Sequence, residues 1–226
     1  MASGRKTNWF AIWVSAAVVV VLVVVGIVVA VVNNQATAPG DAPSASNIDA
    51  ETGAIHVGEG ADSLATYIDF MCPVCGDFEA AYGPSIEGLV DDGSITLDIH
   101  PISILDRASQ GTEFSTRAAN AMYCVAVSDA DASLPFMNAM FENQPAEATP
   151  GLSDEQILAI ASGVGVTDID DCVTDGTYAK YVTDMTAKTP VAPGAAGIGT
   201  PTIAVNGEVI SNSTLPEPAD LASLFE

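Results

Sequence analysis

The chain has 226 residues, 49% of them hydrophobic, with 29 acidic side chains against six basic ones and a formal net charge of -23. That length suits one ordinary domain plus appendages. So acidic a surface argues against binding nucleic acid or anionic lipid through charge, although it serves equally as a solubility device or an adaptation to salt.

All the acids lie beyond position 32, and Arg5 and Lys6 precede an uncharged run, Trp9 to Val32 (WFAIWVSAAVVVVLVVVGIVVAVV). At about 1.5 Å per residue this run exceeds the roughly 20 residues needed to cross a bilayer. Valine's weak helix propensity matters little there, because lipid forces every backbone group to pair internally. Trp9 and Trp13 suit the membrane interface, and Arg5 and Lys6 place residues 1–8 in the cytoplasm. A cleaved signal peptide is the rival, but its apolar core should span only about 7 to 15 residues. The nearest small-residue site, Ala36 to Ala38, is also followed by Pro39. We expect a single-pass, uncleaved signal anchor over 9–32, in the cell membrane with its N-terminus cytoplasmic. A flexible extracytoplasmic linker rich in Ala, Pro and Ser is expected over 33–50, and a catalytic domain over 51–226. That compartment permits disulfides.

Within the domain, Leu64 to Phe70 reads as a strand. Cys75 to Val90 carries Phe78, Tyr82, Ile86 and Leu89 at helical spacing, with a kink or break expected at Gly83-Pro84. Ile95, Leu97 and Ile99 alternate as in a second strand. This strand, helix, strand order puts Cys72 and Cys75 at the strand-to-helix junction. Residues 112–142 read as helical. Residues 152–165 open with a capping box of Ser153 and Gln156, and Asp168 to Thr186 reads as one further helix. The chain returns to extended structure at 199–210, where Asn206-Gly207 marks a hairpin, and a last helix is expected over 219–225. The whole is an α/β domain with a helical insertion at about 108–190.

Four cysteines allow three pairings. Cys72 and Cys75 have zinc-ligand spacing, but no second close pair accompanies them and His56 and His100 add no compact pattern, so no metal is expected. A purely structural Cys72–Cys75 bridge would close a tiny loop and add little stability. At a helix N-terminus, however, unpaired N–H groups and the helix dipole stabilise a thiolate, which makes Cys72 reactive and a good leaving group. Pro73 is tolerated there because the first turn has spare donors. Cys72 is therefore expected as the exposed member, whose sulfur a substrate thiolate attacks in the disulfide, and Cys75 as the shielded one that is released. Cys124 and Cys172 lie in separate helices, and a bridge between them closes a long loop worth about 4 kcal/mol in the chain-entropy model. A structural bridge is favoured over a second redox relay, which gives the pairing 72–75 with 124–172.

DFMCPVCGDFE (69–79) resembles the acid-aromatic-x-Cys-Pro-x-Cys motif of the DsbA-like thioredoxin-fold oxidoreductases, in their membrane-anchored actinobacterial form. GTPTIAVNG (199–207) is similar to that family's Gly-Thr-cisPro-Thr strand and hairpin, and the segment from Ser153 to Tyr181, with Cys172, adds a third signal. The resemblance covers about residues 50–226. It implies a thioredoxin-like fold with an inserted helical domain, preceded by one transmembrane helix. Cys72 and Cys75 would be catalytic, and Pro73, Val74, Thr200 and a cis Pro201 would form the active loop and the substrate backbone contact. It also implies a structural bridge between Cys124 and Cys172.

The sequence departs from the wider pattern in two places. Where thioredoxin relatives often carry a buried acid, six residues before the first cysteine, this chain has Thr66. Asp69 is nearer and typical of the subfamily, so Asp69 and Thr66 are the candidates for proton handling. Val74 stands where the best-studied oxidases have His, which implies a less acidic Cys72 and a less oxidising disulfide. His100, Phe70 and Met71 read as structural or packing residues. The expected function is donation of the Cys72–Cys75 disulfide to reduced exported proteins. Reoxidation would fall to a membrane quinone-linked enzyme, VKOR-like or DsbB-like. The protein is expected to need no cofactor and to be a monomer. A reductase or isomerase of the same compartment is the alternative, and a non-catalytic anchored binding domain the second.

Overall fold

The computed structural model describes residues 8–225, so the segment bearing Arg5 and Lys6 lies outside the described residues. The chain divides into two units, one ending at Pro39 and one beginning at Gly40. The first is helix α1, Trp9–Thr37, within which Ile12–Asn33 is long and apolar enough to cross a membrane.

The second unit begins earlier than composition suggests. The Gly40 N–H donates to Asp184 Oδ2 (2.7 Å), Asn47 Nδ2 to the Ala126 carbonyl (3.2 Å), and the Tyr181 hydroxyl to the Ala50 carbonyl (2.9 Å). Residues 40–50, expected within a flexible linker, thus lie against the domain. Gly40 permits this because a Cβ there would collide with the Tyr181 backbone. Ala, Pro and Ser carry no periodicity that would reveal such docking.

A five-stranded sheet runs in the order β1-β3-β2-β4-β5. Its strands are β1 (Ile55–Val57), β2 (Asp62–Ile68), β3 (Ile95–Pro101), β4 (Thr202–Val205) and β5 (Glu208–Ile210). Strands β2 and β3 are parallel, with Leu64 beside Leu97 and Thr66 beside Ile99, and the other pairings are antiparallel. Strand β2 ends two residues sooner than expected, because the Asp69 carboxylate accepts the Met71 N–H (2.9 Å) and turns the chain out of the sheet. Strand β1, three residues long, lacks enough alternation to stand out in the sequence.

Helix α2, Pro73–Asp91, connects β2 to β3 and buries Cys75, Phe78, Glu79, Gly83 and Ile86. It continues through Pro84 as one helix, although Pro84 leaves the Ala80 carbonyl without its helical donor. The insertion comprises α3 (Phe114–Ser128), α4 (Ser133–Glu142), α5 (Asp154–Gly163), α6 (Asp170–Thr174) and α7 (Ala179–Thr186). Helix α3 is its hub, with residues from Phe114 to Ala126 almost wholly buried. The capping box of Ser153 and Gln156 starts α5. The single helix expected over 168–186 is two, because Gly176 adopts φ +62° between them. Asn206 and Gly207, both at positive φ, make the two-residue turn between β4 and β5.

Candidate active site

The sheet delivers Cys72 to its place. After β2 the chain makes one tight turn, the Cys72 N–H donating to the Asp69 carbonyl (2.9 Å), and Cys72 becomes the extended N-cap of α2. Pro73 occupies the first helical position, where its missing N–H leaves nothing unpaired. The N–H groups of Cys75 and Gly76 close the first turn on the Cys72 carbonyl. Cys72 and Cys75 are both thiols. Cys72, expected to be exposed, retains only 6% of its surface, while Cys75 retains none. The order of accessibility is as expected, but the first cysteine is itself buried.

Burial and hydrogen bonding push the two thiols in opposite directions. A hydrogen bond from Cys75 lowers the Cys72 pKa to about 6, followed, against burial, by the Thr200 side chain and the backbone N–H groups of Cys75 and Val74. Burial pushes Cys75 far up, and its hydrogen bond to Cys72 adds to the rise. The reduced site therefore presents one ionised, nucleophilic sulfur near neutral pH and holds its neighbour protonated.

Across from Cys72, the Thr200–Pro201 peptide bond is cis. The Cys72 thiol donates to the Thr200 carbonyl (3.5 Å), and Asn212 Nδ2 donates to the Pro201 carbonyl (2.8 Å). Val74 stands 57% exposed between the cysteines.

Thr66 is fully buried in β2 and its hydroxyl has no hydrogen-bond partner. A hydroxyl carries no charge near neutral pH, so Thr66 supplies no ionisable acid there. Asp69 is buried too, and burial pushes its pKa up to about 6. Its two oxygens accept the Met71 N–H, the Leu105 N–H and the Ser115 hydroxyl, at 2.7–2.9 Å, tying the active turn to the start of the insertion. His100 stacks on Tyr67 with ring centroids 4.1 Å apart, and burial lowers its pKa to about 4, so it is a neutral packing group beside Tyr123 and Met185.

Two residues near the site were not singled out in the sequence. Gln144 Nε2 donates to the carbonyls of Phe70 (3.1 Å) and Cys72 (2.9 Å), bracing the turn from beyond α4. No local pattern announces such a contact. Glu79 is buried on α2, four residues after Cys75, and a carboxylate on the apolar side of an amphipathic helix was the available signal.

Cys124 of α3 and Cys172 of α6 form a disulfide, S–S 2.05 Å, Cα–Cα 6.0 Å. Among the described residues no cluster of three or more His, Cys, Asp or Glu side chains is arranged to hold a metal ion.

A Cys-x-x-Cys pair at a strand-to-helix junction, facing a cis-proline loop on a sheet with a helical insertion, defines the DsbA-like class of thioredoxin-fold proteins. A family model described as thioredoxin matches residues 51–222, and the chain belongs to that family. Among solved structures it is similar to DsbA of Mycobacterium tuberculosis, 32% identical, with a TM-score of 0.67 over 76% of this chain and 90% of that one. It is also similar to the disulfide bond oxidoreductase DsbG of the same organism, 31% identical, with a TM-score of 0.65 over 85% and 89%. Its fold is that of the DsbA-like thiol–disulfide oxidoreductases. Among curated proteins it is 32% identical to the serine/threonine-protein kinase PknE of M. tuberculosis over 69% of this chain. The chain spans only 28% of the length of that relative.

Proposed function

We propose that the protein is an anchored extracytoplasmic oxidoreductase that donates its Cys72–Cys75 disulfide to exported proteins. The observation that carries this reading is the asymmetry of the pair, with Cys72 at about 6 and Cys75 pushed far up. A stabilised Cys72 thiolate favours the dithiol over the disulfide, and a disulfide whose reduced form is stabilised is a strong oxidant. A substrate thiolate attacks Cys72 Sγ, Cys75 leaves, and a second substrate thiol releases the product disulfide and the reduced enzyme. Helix α1 would hold the domain at the membrane beside a quinone-linked reoxidase.

The reverse direction, as a reductase or isomerase, is favoured by Val74, which adds no charge or side-chain donor to the thiolate. Equilibration of the full chain against glutathione buffers, with trapped thiols assigned by mass, separates the two. A potential of about -120 to -180 mV marks a disulfide donor, and one near about -270 mV marks a reductant. A pair that does not exchange at all would sink both.

A further inference from the structure

Cys72 closes a tight turn that begins at Asp69, its N–H donating to the Asp69 carbonyl. Phe70, the second residue of that turn, is fully buried, and among the described residues no backbone N–H donates to its carbonyl. A buried carbonyl left without a donor costs free energy, so a side chain is needed there. Gln144 supplies it. Its Nε2 donates to the Phe70 carbonyl (3.1 Å) and, past Met71, to the Cys72 carbonyl (2.9 Å). One amide thus grips both ends of the segment that delivers Cys72.

Gln144 is itself held in place. It stands two residues beyond the end of α4, and its N–H donates to the Phe141 carbonyl (3.1 Å). The Phe141 ring packs against the Phe70 ring with centroids 5.1 Å apart. On its other side the amide meets Gly76, near the start of α2. Gly76 has no positive φ to require glycine, and glycine weakens a helix. A Cβ there would collide with Gln144 Oε1, and the three nearest atoms it would meet all belong to Gln144. The missing side chain leaves the space that the amide fills.

The reactivity of Cys72 depends on its position. Its carbonyl accepts the N–H groups of Cys75 and Gly76 as well as the Gln144 amide, which fixes it as the N-cap of α2. Held there, Cys72 Sγ receives the N–H groups of Cys75 and Val74 and reaches the Thr200 carbonyl at 3.5 Å. Without Gln144 the Phe70 carbonyl must turn toward another donor, and Cys72 lies only two residues further on.

We propose that Gln144, seated against Gly76, is a positioning residue of the redox site: by gripping the Phe70 and Cys72 carbonyls it keeps Cys72 Sγ against the N-terminal N–H groups of α2. This rests on the redox reading of Cys72 and Cys75. It makes the helical insertion, which supplies Gln144, part of what sets the reactivity of the thioredoxin-fold cysteine.

The test follows iodoacetamide labelling of Cys72 against pH in the reduced full chain, in detergent micelles. Gln144→Met keeps much of the side chain's length and has no donor. Its Cys72 midpoint should lie about one unit above that of the wild type, which is about tenfold slower labelling below both midpoints. Gly76→Ala should raise the midpoint from the other side, because the added methyl displaces the amide, and it does so while gaining helix propensity. In the double variant the two shifts should not add, since the methyl then finds no amide to displace. A merely structural Gln144 would lower stability in denaturant and leave the midpoint at its wild-type value, and that result would overturn the proposal. Should Gln144→Met not fold, Gly76→Ala decides, and an unmoved midpoint there overturns it too. Shifts that add in full would also overturn it, since Gly76 would then act on Cys72 by another route. A wild-type pair that fails to exchange with glutathione would instead sink the redox reading, whereas normal exchange with unmoved midpoints sinks this inference alone.

Discussion

The Cys72 thiol donates a 3.5 Å hydrogen bond to the backbone carbonyl of Thr200, joining residues 128 apart in sequence. The reacting sulfur therefore faces the loop that leads into β4, and a chain reaching Cys72 must run past residue 200. Everything that sets the reactivity of Cys72 is local to this meeting point: the N-terminus of α2, the Cys75 thiol and Thr200.

Alkylation tests that directly. Iodoacetamide labelling of the reduced chain should follow one titration with a midpoint of about 6, located by mass at Cys72, because only the thiolate reacts. Cys75 should stay unlabelled through neutral pH. Cys75→Ala should move the midpoint up toward the ordinary thiol value, since the Cys75 hydrogen bond contributes most to the lowering. The folded pKa lies below the unfolded one, so Cys72 stabilises the reduced chain fully above pH 9, and this contribution fades as pH falls to about 6. A midpoint near 9, or label on Cys75, would contradict the geometry.

The second cysteine pair should behave independently. Cys124 and Cys172 are 48 residues apart, a loop whose closure is worth about 4 kcal/mol in the chain-entropy model. Replacing both by Ala should lower the unfolding free energy of the oxidised chain by up to that amount in denaturant titration. The Cys72 alkylation midpoint should not change. A moved midpoint would show that the insertion's bridge tunes the active turn.

Much of this arrangement was legible in the sequence because each visible feature is local. The Cys-Pro-x-Cys turn, the Ser153 capping box, the Asn206-Gly207 hairpin and the alternation of Ile95, Leu97 and Ile99 each announce themselves within a few residues. Contacts made across the chain left no such trace. Gln144 bracing the Cys72 carbonyl from 72 positions away has no sequence signature, and neither does the docking of Gly40 on Asp184. Asp69 was visible as a candidate, but only the fold shows that three donors converge on it.

Those three donors make Asp69 a fastener for the active turn. Asp69→Ala leaves the buried Met71 N–H and Ser115 hydroxyl without their acceptor, at a cost of about 2–4 kcal/mol in all. Denaturant unfolding should show that loss at pH 7. The pH dependence has a definite sign. The folded pKa, about 6, is above the ordinary aspartate value of 3.8, so the folded chain holds its proton more tightly. This contribution is fully present below pH 3.8 and is lost as pH rises through about 6. Asp69→Ala should abolish that component of the slope between the two values.

Val74 offers the clearest control over oxidising power. It is 57% exposed between the two cysteines, and no cation contributes to the lowered pKa of Cys72. An imidazole at this position would give the thiolate a hydrogen-bond donor and, when protonated, a charge. A tenfold stabilisation of the thiolate corresponds to one pKa unit, and for a two-electron couple to about 30 mV. Val74→His should therefore lower the Cys72 midpoint by about one unit and raise the reduction potential by about 30 mV at neutral pH. Below both Cys72 midpoints the thiol is protonated, the imidazole has no thiolate to stabilise, and the two potentials should converge. Val74→Leu should change neither quantity. A midpoint that falls while the potential stays fixed would mean the imidazole favours the disulfide equally, and thiolate stabilisation would then not set the direction of electron flow.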